Sequence, residues 1–263
     1  DFNATATDAA NNVSGPSDDY TVTVDIAVPT LTSIARQEPS AETTNADTLT
    51  YRVTFNEAVS NVDASDFQVA GTTATISAVT LFSPGVYDVT LSGGDLASLN
   101  GTVTLSFASG QNIVDAAGNA LATPVTTSSY VVDNTTSTVT TVALSDVQIT
   151  DADDGATVTA TITFSEAMDQ MVAPTVTNNA GTTLTSGSGA WTSATTYVMT
   201  YTVDDANVDL ADVTFDVTGA KDLAGNTQVA ATAVSTGSDV DTVNATVTTV
   251  ALSDVQITDA DDG

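Results

Sequence analysis

Ala156-Thr-Val-Thr-Ala-Thr-Ile-Thr-Phe164 alternates strictly between two kinds of side chain. Val158, Ala160, Ile162 and Phe164 fall on one side, and Thr157, Thr159, Thr161 and Thr163 on the other. A period of two is that of a β-strand with one buried and one solvated face, which is the pattern of an antiparallel sheet packed on one side. Thr48–Phe55 repeats the pattern, with Leu49, Tyr51, Val53 and Phe55 as the apolar set. Further strands are read at Tyr197, Met199, Tyr201 and Val203, matched by Tyr87, Val89 and Leu91. Another pair is Val213, Phe215 and Val217, matched by Val103, Leu105 and Phe107. No stretch has convincing helical periodicity, and the fold class is all-β.

The matched strands belong to a long repeat. Thr-Val-Thr-Thr-Val-Ala-Leu-Ser-Asp-Val-Gln-Ile-Thr-Asp-Ala-Asp-Asp-Gly runs from Thr138 to Gly155 and recurs unchanged from Thr246 to Gly263. That spacing of about a hundred residues suits a whole small domain rather than a solenoid repeat of roughly 20–50 residues. Val-Asp pairs at 24–25, 132–133 and 240–241 are read as junctions. The expected organisation is a C-terminal fragment of one repeat (1–25), two full repeats (26–133 and 134–241) and an N-terminal fragment of the next (242–263). Residues 1–25 should carry a turn and a final strand, and 242–263 a first strand and an acidic turn. The chain reads as a window on a longer array.

Composition narrows the function classes. The chain has 29 Asp, 4 Glu and only three basic residues, Arg36, Arg52 and Lys221, for a formal charge of −30. Nothing is available to neutralise phosphates, so nucleic acid is excluded as a partner. An anionic membrane surface is excluded on the same ground. There is no Cys and no His, which removes disulfides, thiol chemistry, the usual zinc sites and the Ser-His-Asp and Cys-His arrangements of nucleophilic catalysis. No apolar run approaches the roughly 18 residues of a membrane helix, and no membrane insertion is expected in this segment. Repetition of the same acids in each repeat reads as structural, and the chain is not expected to be an enzyme.

Two motifs recur at corresponding places. Thr-Phe-Asn-Glu-Ala at 54–58 matches Thr-Phe-Ser-Glu-Ala at 163–167. Asp-Ala-Ala-Gly-Asn at 115–119 matches Asp-Leu-Ala-Gly-Asn at 222–226, with a third copy at Asp8-Ala-Ala-Asn-Asn12. This succession of strands, turns and Val-Asp junctions resembles the bacterial Ig-like domains repeated in giant surface adhesins, over both full repeats and the two fragments. The resemblance implies tandem seven-stranded antiparallel β-sandwiches joined head to tail, often with calcium at the junctions. Such domains serve as an extracellular stalk that holds a binding tip away from the cell surface.

Sandwich topology then gathers the shared acids. Loops after the second strand and before the last return to the pole where the chain arrives. Asp25, Glu57 and Asp115 should meet at the top of the first full repeat, and Asp133, Glu166 and Asp222 at the top of the second. At the opposite pole, Asp151, Asp153 and Asp154 would face Asp241. All-oxygen ligands on flexible loops suit calcium, which takes six to eight of them, with magnesium as runner-up. The alternative is that these residues form turns without metal, since Asp commonly caps backbone amides. The helix-loop-helix calcium loop fails, because its closing Glu would stand at Ile162. The partners expected are neighbouring repeats of the same chain, with self-assembly into fibres possible. The rival functions are a surface-layer or fibre-forming protein and a spacer or carbohydrate-binding module. Trp191, with no aromatic row beside it, is read as core.

Overall fold

A computed structural model of the chain describes residues 1–122, 124 and 126–251. It divides into two compact units, Asp1–Asn134 and Thr135–Gly263.

The first unit contains β1 (Leu31–Glu38), β2 (Thr43–Thr44), β3 (Thr48–Phe55), β4 (Val59–Ser60), β5 (Phe67–Ala70), β6 (Thr75–Ser83), β7 (Val86–Ser92), β8 (Asn100–Phe107), β9 (Val114–Asp115) and β10 (Ser128–Asp133). One sheet has the order β1-β3-β7-β6 and the facing sheet β2-β10-β8-β5. Taken as strands A, B, E and D against A′, G, F and C, this is the immunoglobulin arrangement. The first strand divides between the sheets: β1 pairs antiparallel with β3, whereas β2 crosses over and pairs parallel with β10, Val131 opposite Thr43.

The alternation read from sequence is the reason β3 sits where it does. Leu49, Tyr51, Val53 and Phe55 are buried, with half-exposed residues between them. They meet Val89 and Leu91 from β7 and Val103, Leu105, Tyr130 and Val132 from the facing sheet in one core. Burying each of these side chains contributes about 1.5–3 kcal/mol. Two tyrosines cross the interior. Tyr51 Oη donates to the Val103 carbonyl at 2.9 Å, and Tyr130 Oη reaches the carbonyls of Pro39 and Thr50 at 2.6 and 2.8 Å. Their rings pack edge to face at 5.0 Å.

The second unit contains β11 (Val139–Leu144), β12 (Gln148–Thr150), β13 (Thr157–Phe164), β14 (Thr175–Asn178), β15 (Leu184–Trp191), β16 (Thr196–Val203), β17 (Asp209–Leu210), β18 (Thr214–Thr218), β19 (Ala231–Ser235) and β20 (Asp239–Asp241). Its β11-β13-β16-β15 sheet matches the first sheet of the first unit. The opposite layer is broken into β12-β20-β17 and β14-β18-β19. Sequence reading expects one continuous strand through Val213, Phe215 and Val217. The layer breaks around Val213, whose N–H goes to the Ser238 carbonyl and whose carbonyl accepts from Thr236. All three side chains are nevertheless buried. Both units are all-β sandwiches.

Outside the two sandwiches, residues 1–25 hold the expected turn but no final strand. They carry only isolated bridges, Phe2 with Tyr20 and Thr7 with Val13, and Tyr20, Val22 and Val24 are exposed. No sheet stands beside residues 20–25 among the described residues, so nothing fixes an extended ladder there. Residues 242–251 form no strand either. The acidic turn expected near the end of the 242–263 segment lies outside the described residues. No helix among the described residues is long and apolar enough to cross a membrane.

Candidate metal centre

In the first unit, Asp115 ends β9, which pairs antiparallel with β4, Val59 opposite Asp115. This short ladder ties the loop before the last strand to the loop after β3, where Glu57 lies. The Glu57 backbone is itself pressed against Gly85: a Cβ on that glycine would stand 2.3 Å from the Glu57 carbonyl oxygen. Asn56 donates its N–H to the Thr30 carbonyl and accepts the Thr30 N–H on Oδ1 at 2.7 Å, which draws the incoming chain alongside the same loop.

Asp115 is buried and heavily hydrogen-bonded. Its Oδ1 accepts the N–H groups of Ala117 and Asn119, each at 2.8 Å, and its Oδ2 accepts Asn119 Nδ2 at 2.8 Å. The Asn119 amide, opposed by burial and helped by the backbone donors, holds the carboxyl below the usual range, so it stays ionised. Gly118 takes φ +90°, which closes the turn without a side-chain clash. Asn119 Nδ2 also donates to the Asp25 carbonyl at 3.2 Å. One amide therefore joins the carboxylate to the segment leading into the sandwich.

The outcome is that Asp25, Glu57 and Asp115 each present a carboxylate oxygen within 4.8 Å of the others. Asp25 is exposed, Glu57 half-buried and Asp115 buried. The two arginines of this unit are committed elsewhere, Arg36 to Glu42 and the Ser129 carbonyl, Arg52 to Asp88. The donor set is wholly oxygen and wholly anionic, which fits a hard cation of the calcium type.

The second unit repeats the turn. Asp222 is buried, its Oδ1 accepting from Ala224, Gly225 and Asn226 N–H at 2.8, 2.8 and 2.9 Å and its Oδ2 from Asn226 Nδ2 at 2.9 Å. Asn226 Nδ2 further reaches the Thr135 carbonyl at 3.1 Å. Met168 bridges Asp222 across the loops, and Glu166 and Asp222 bring carboxylate oxygens within 4.8 Å. Asp133 is the half-buried last residue of β10 in the first unit. The third copy of the motif folds alike: Asp8 Oδ1 accepts from Ala10 and Asn12 N–H, and Oδ2 from Asn12 Nδ2.

The other acids behave as turn formers. Asp151–Asp153 is a short 3₁₀ turn in which Asp153 Oδ2 takes the Thr150 N–H and hydroxyl at 2.8 and 3.0 Å. Asp154 Oδ1 accepts the Asp205 N–H at 3.1 Å, and Asp241 Oδ1 the Val243 N–H at 3.3 Å. Among the described residues these four acids form no group of three with converging oxygens. The residues that sequence reading did not single out are Asn119 and Asn226. The recurring final Asn of the motif is their signal, but its reach to a distant backbone carbonyl exists only once the fold is closed.

No protein family matches the chain, and no curated protein does. Solved structures do. The Escherichia coli adhesin FdeC is 16% identical, with 84% of this chain and 67% of that one covered and a TM-score of 0.39. The N-terminal part of the bacterial S-layer protein SbsC is 16% identical, with 83% and 45% covered and a TM-score of 0.28. The plexin A4 extracellular region is 15% identical, with 85% and 21% covered and a TM-score of 0.24. The chain thus spans under half of the SbsC fragment and about a fifth of the plexin region. Likenesses this distant carry nothing about function. The strand order itself defines the class: immunoglobulin-like β-sandwich units with an acidic, loop-built pole.

Proposed function

We propose that this chain is an extender segment of a large secreted bacterial surface adhesin, a stalk whose domain junctions are stiffened by calcium. The observation that carries this reading is the convergence of Asp25, from the incoming segment, with Glu57 and Asp115 of the sandwich it leads into. A flexible linker lets neighbouring domains swing, and small interdomain contacts do little to stop it. A cation held jointly by linker and domain removes that freedom, because leaving would separate it from part of its ligand set. By sequence correspondence Asp133 is the counterpart of Asp25, and in this reading it supplies the linker ligand to Glu166 and Asp222. The neighbouring repeats of the array are the partners, the location is extracellular, and the role is mechanical rather than catalytic.

The test is small-angle scattering of the whole chain with calcium and after chelation, alongside melting curves in both conditions. Calcium should lengthen and narrow the distance distribution and raise the melting temperature. If neither quantity moves, the junction ion is not part of the molecule.

A further inference from the structure

The acid is not spread evenly along this chain. From Phe67 to Tyr87 there is no charged residue, and from Gln170 to Val203 there is none again, in a protein of formal charge −30. The first of these runs contains β6, one of the two outer strands of the β1-β3-β7-β6 sheet. An outermost strand leaves one row of backbone N–H and C=O groups without a neighbour, and proteins commonly guard it with charge, proline, bulges or short length. The other outer strands of this unit follow that rule. β2 has two residues, β5 has four, and β1 carries Arg36 and Glu38. β6 follows it least: nine residues, no charge and no proline, with its two register shifts set toward the ends. Among the described residues no backbone group outside the sheet bonds to it.

The side chains of β6 point to the same conclusion. Leu81 and Phe82 are 57% and 62% exposed. Phe82 is nonetheless held in place, because the Arg52 guanidinium lies 3.8 Å from its ring centroid. Arg52 is fixed in turn by a two-pronged contact with Asp88, Nε to Oδ1 and Nη2 to Oδ2, both at 2.9 Å. That pair presents no net charge. A pre-ordered exposed aromatic beside an open strand loses little side-chain freedom when something covers it. Register shifts at Ile76/Ala78 and Leu81/Ser83 bound a regular stretch, Ala78–Leu81, whose outer backbone row bonds to no backbone outside the sheet among the described residues.

We infer that β6 is where two copies of this chain pair side by side, antiparallel, extending the sheet from one molecule into the next. The occupant follows from charge. A second copy is itself strongly acidic, and most of its surface would bring carboxylates against carboxylates. The β6 edges meet without doing so, and an antiparallel strand is self-complementary about a two-fold axis. The second unit offers the corresponding strand, β15, also outermost and within an uncharged run. The contact stands independently of any junction ion.

Sedimentation equilibrium of the whole chain in chelator tests this, at physiological salt and at about 1 M salt, where screening shortens to ~3 Å. The chain should self-associate in the high-salt sample, and backbone amides of Ala78–Leu81 should gain protection from hydrogen exchange. Thr80→Glu and Phe82→Ala should each weaken association about tenfold or more. Thr32→Glu, the same charge change on the opposite outer strand β1, should leave it unchanged. A chain that stays monomeric in high salt overturns the inference. So does a dimer that survives both β6 changes, or one to which Thr80→Glu and Thr32→Glu do equal harm. Protection of Ala78–Leu81 only by an added uncharged extended peptide, without self-association, would replace the second copy with a different partner.

Discussion

Asn119 is bonded to Asp115 twice: its backbone N–H meets Oδ1 at 2.8 Å and its side-chain amide meets Oδ2 at 2.8 Å. Asn226 stands in the same double relation to Asp222. In both places the amide has a second acceptor in the segment arriving at the sandwich, the carbonyl of Asp25 or of Thr135. Replacing Asn226 by Ala should therefore cost more than a turn bond. About 1 kcal/mol per lost hydrogen bond is expected. The measurement is urea unfolding followed by Trp191, the sole tryptophan, which packs against Phe164 and Tyr197 in that unit.

Acid should loosen the Asp115 turn. The folded carboxyl gives up its proton more readily than the ordinary value of 3.8. Between the folded and ordinary values the unfolded chain binds more protons, so stability there rises with pH. The contribution is complete above the ordinary value and disappears as pH falls through the folded one. Asp115→Asn should thus be less stable than the parent near neutral pH, and the gap between their melting curves should close in strong acid. A gap of constant size would show that ionisation is irrelevant to the turn.

Gly118 and its counterparts prescribe a left-handed backbone. Gly118 has φ +90°, Gly225 +99°, and in the third copy Asn11 fills the place at +65°. A Cβ at Gly118 would meet nothing within 4 Å, so conformation alone sets the penalty. Gly118→Val should destabilise by about 1–2 kcal/mol, whereas Gly118→Asn should cost distinctly less, as thermal unfolding would report.

If calcium occupies the pole, the response should map onto one set of acids and not another. Glu57→Gln and Glu166→Gln should each shrink the calcium-induced rise in melting temperature, and the double change should abolish most of it. Asp153→Asn should leave the rise intact, because Asp153 is occupied in capping Thr150. Equal effects from all three would favour diffuse charge screening instead.

Tyr130 probes the join between the two sheets. Its hydroxyl serves the carbonyls of Pro39 and Thr50 from a fully buried ring. Tyr130→Phe should lower stability by about 1–2 kcal/mol, read by chemical denaturation, with the β-sheet circular dichroism of the folded chain unchanged.

Much of the sandwich could be read from periodicity because burial in it is one-sided. Thr157–Phe164 and Thr48–Phe55 show the same alternating burial as their sequences do. Glu57 and Asp115 also follow from sequence plus topology, since their loops return to one pole. The breaks in the layer of β17, β18, β19 and β20 do not, because Val213, Phe215 and Val217 stay buried across them and the apolar rhythm is undisturbed. Trp191, read as core, is half-buried against the core beside Phe164 and Tyr197, on a strand where a Cβ at Gly189 would collide with the Tyr197 ring hydroxyl. The charge-poor β6 carries no motif at all, and its meaning depends on its being outermost.

The division of each first strand between two sheets decides how a unit answers a pull on its ends. β2 and β10 lie parallel, as do β12 and β20, so tension applied at opposite ends of a unit slides these partners past each other. Their hydrogen bonds are then strained together, in shear, instead of parting one at a time like a zip. β12 and β20 match three residue pairs and β2 and β10 two, so each unit meets such a pull with a short patch of bonds loaded all at once.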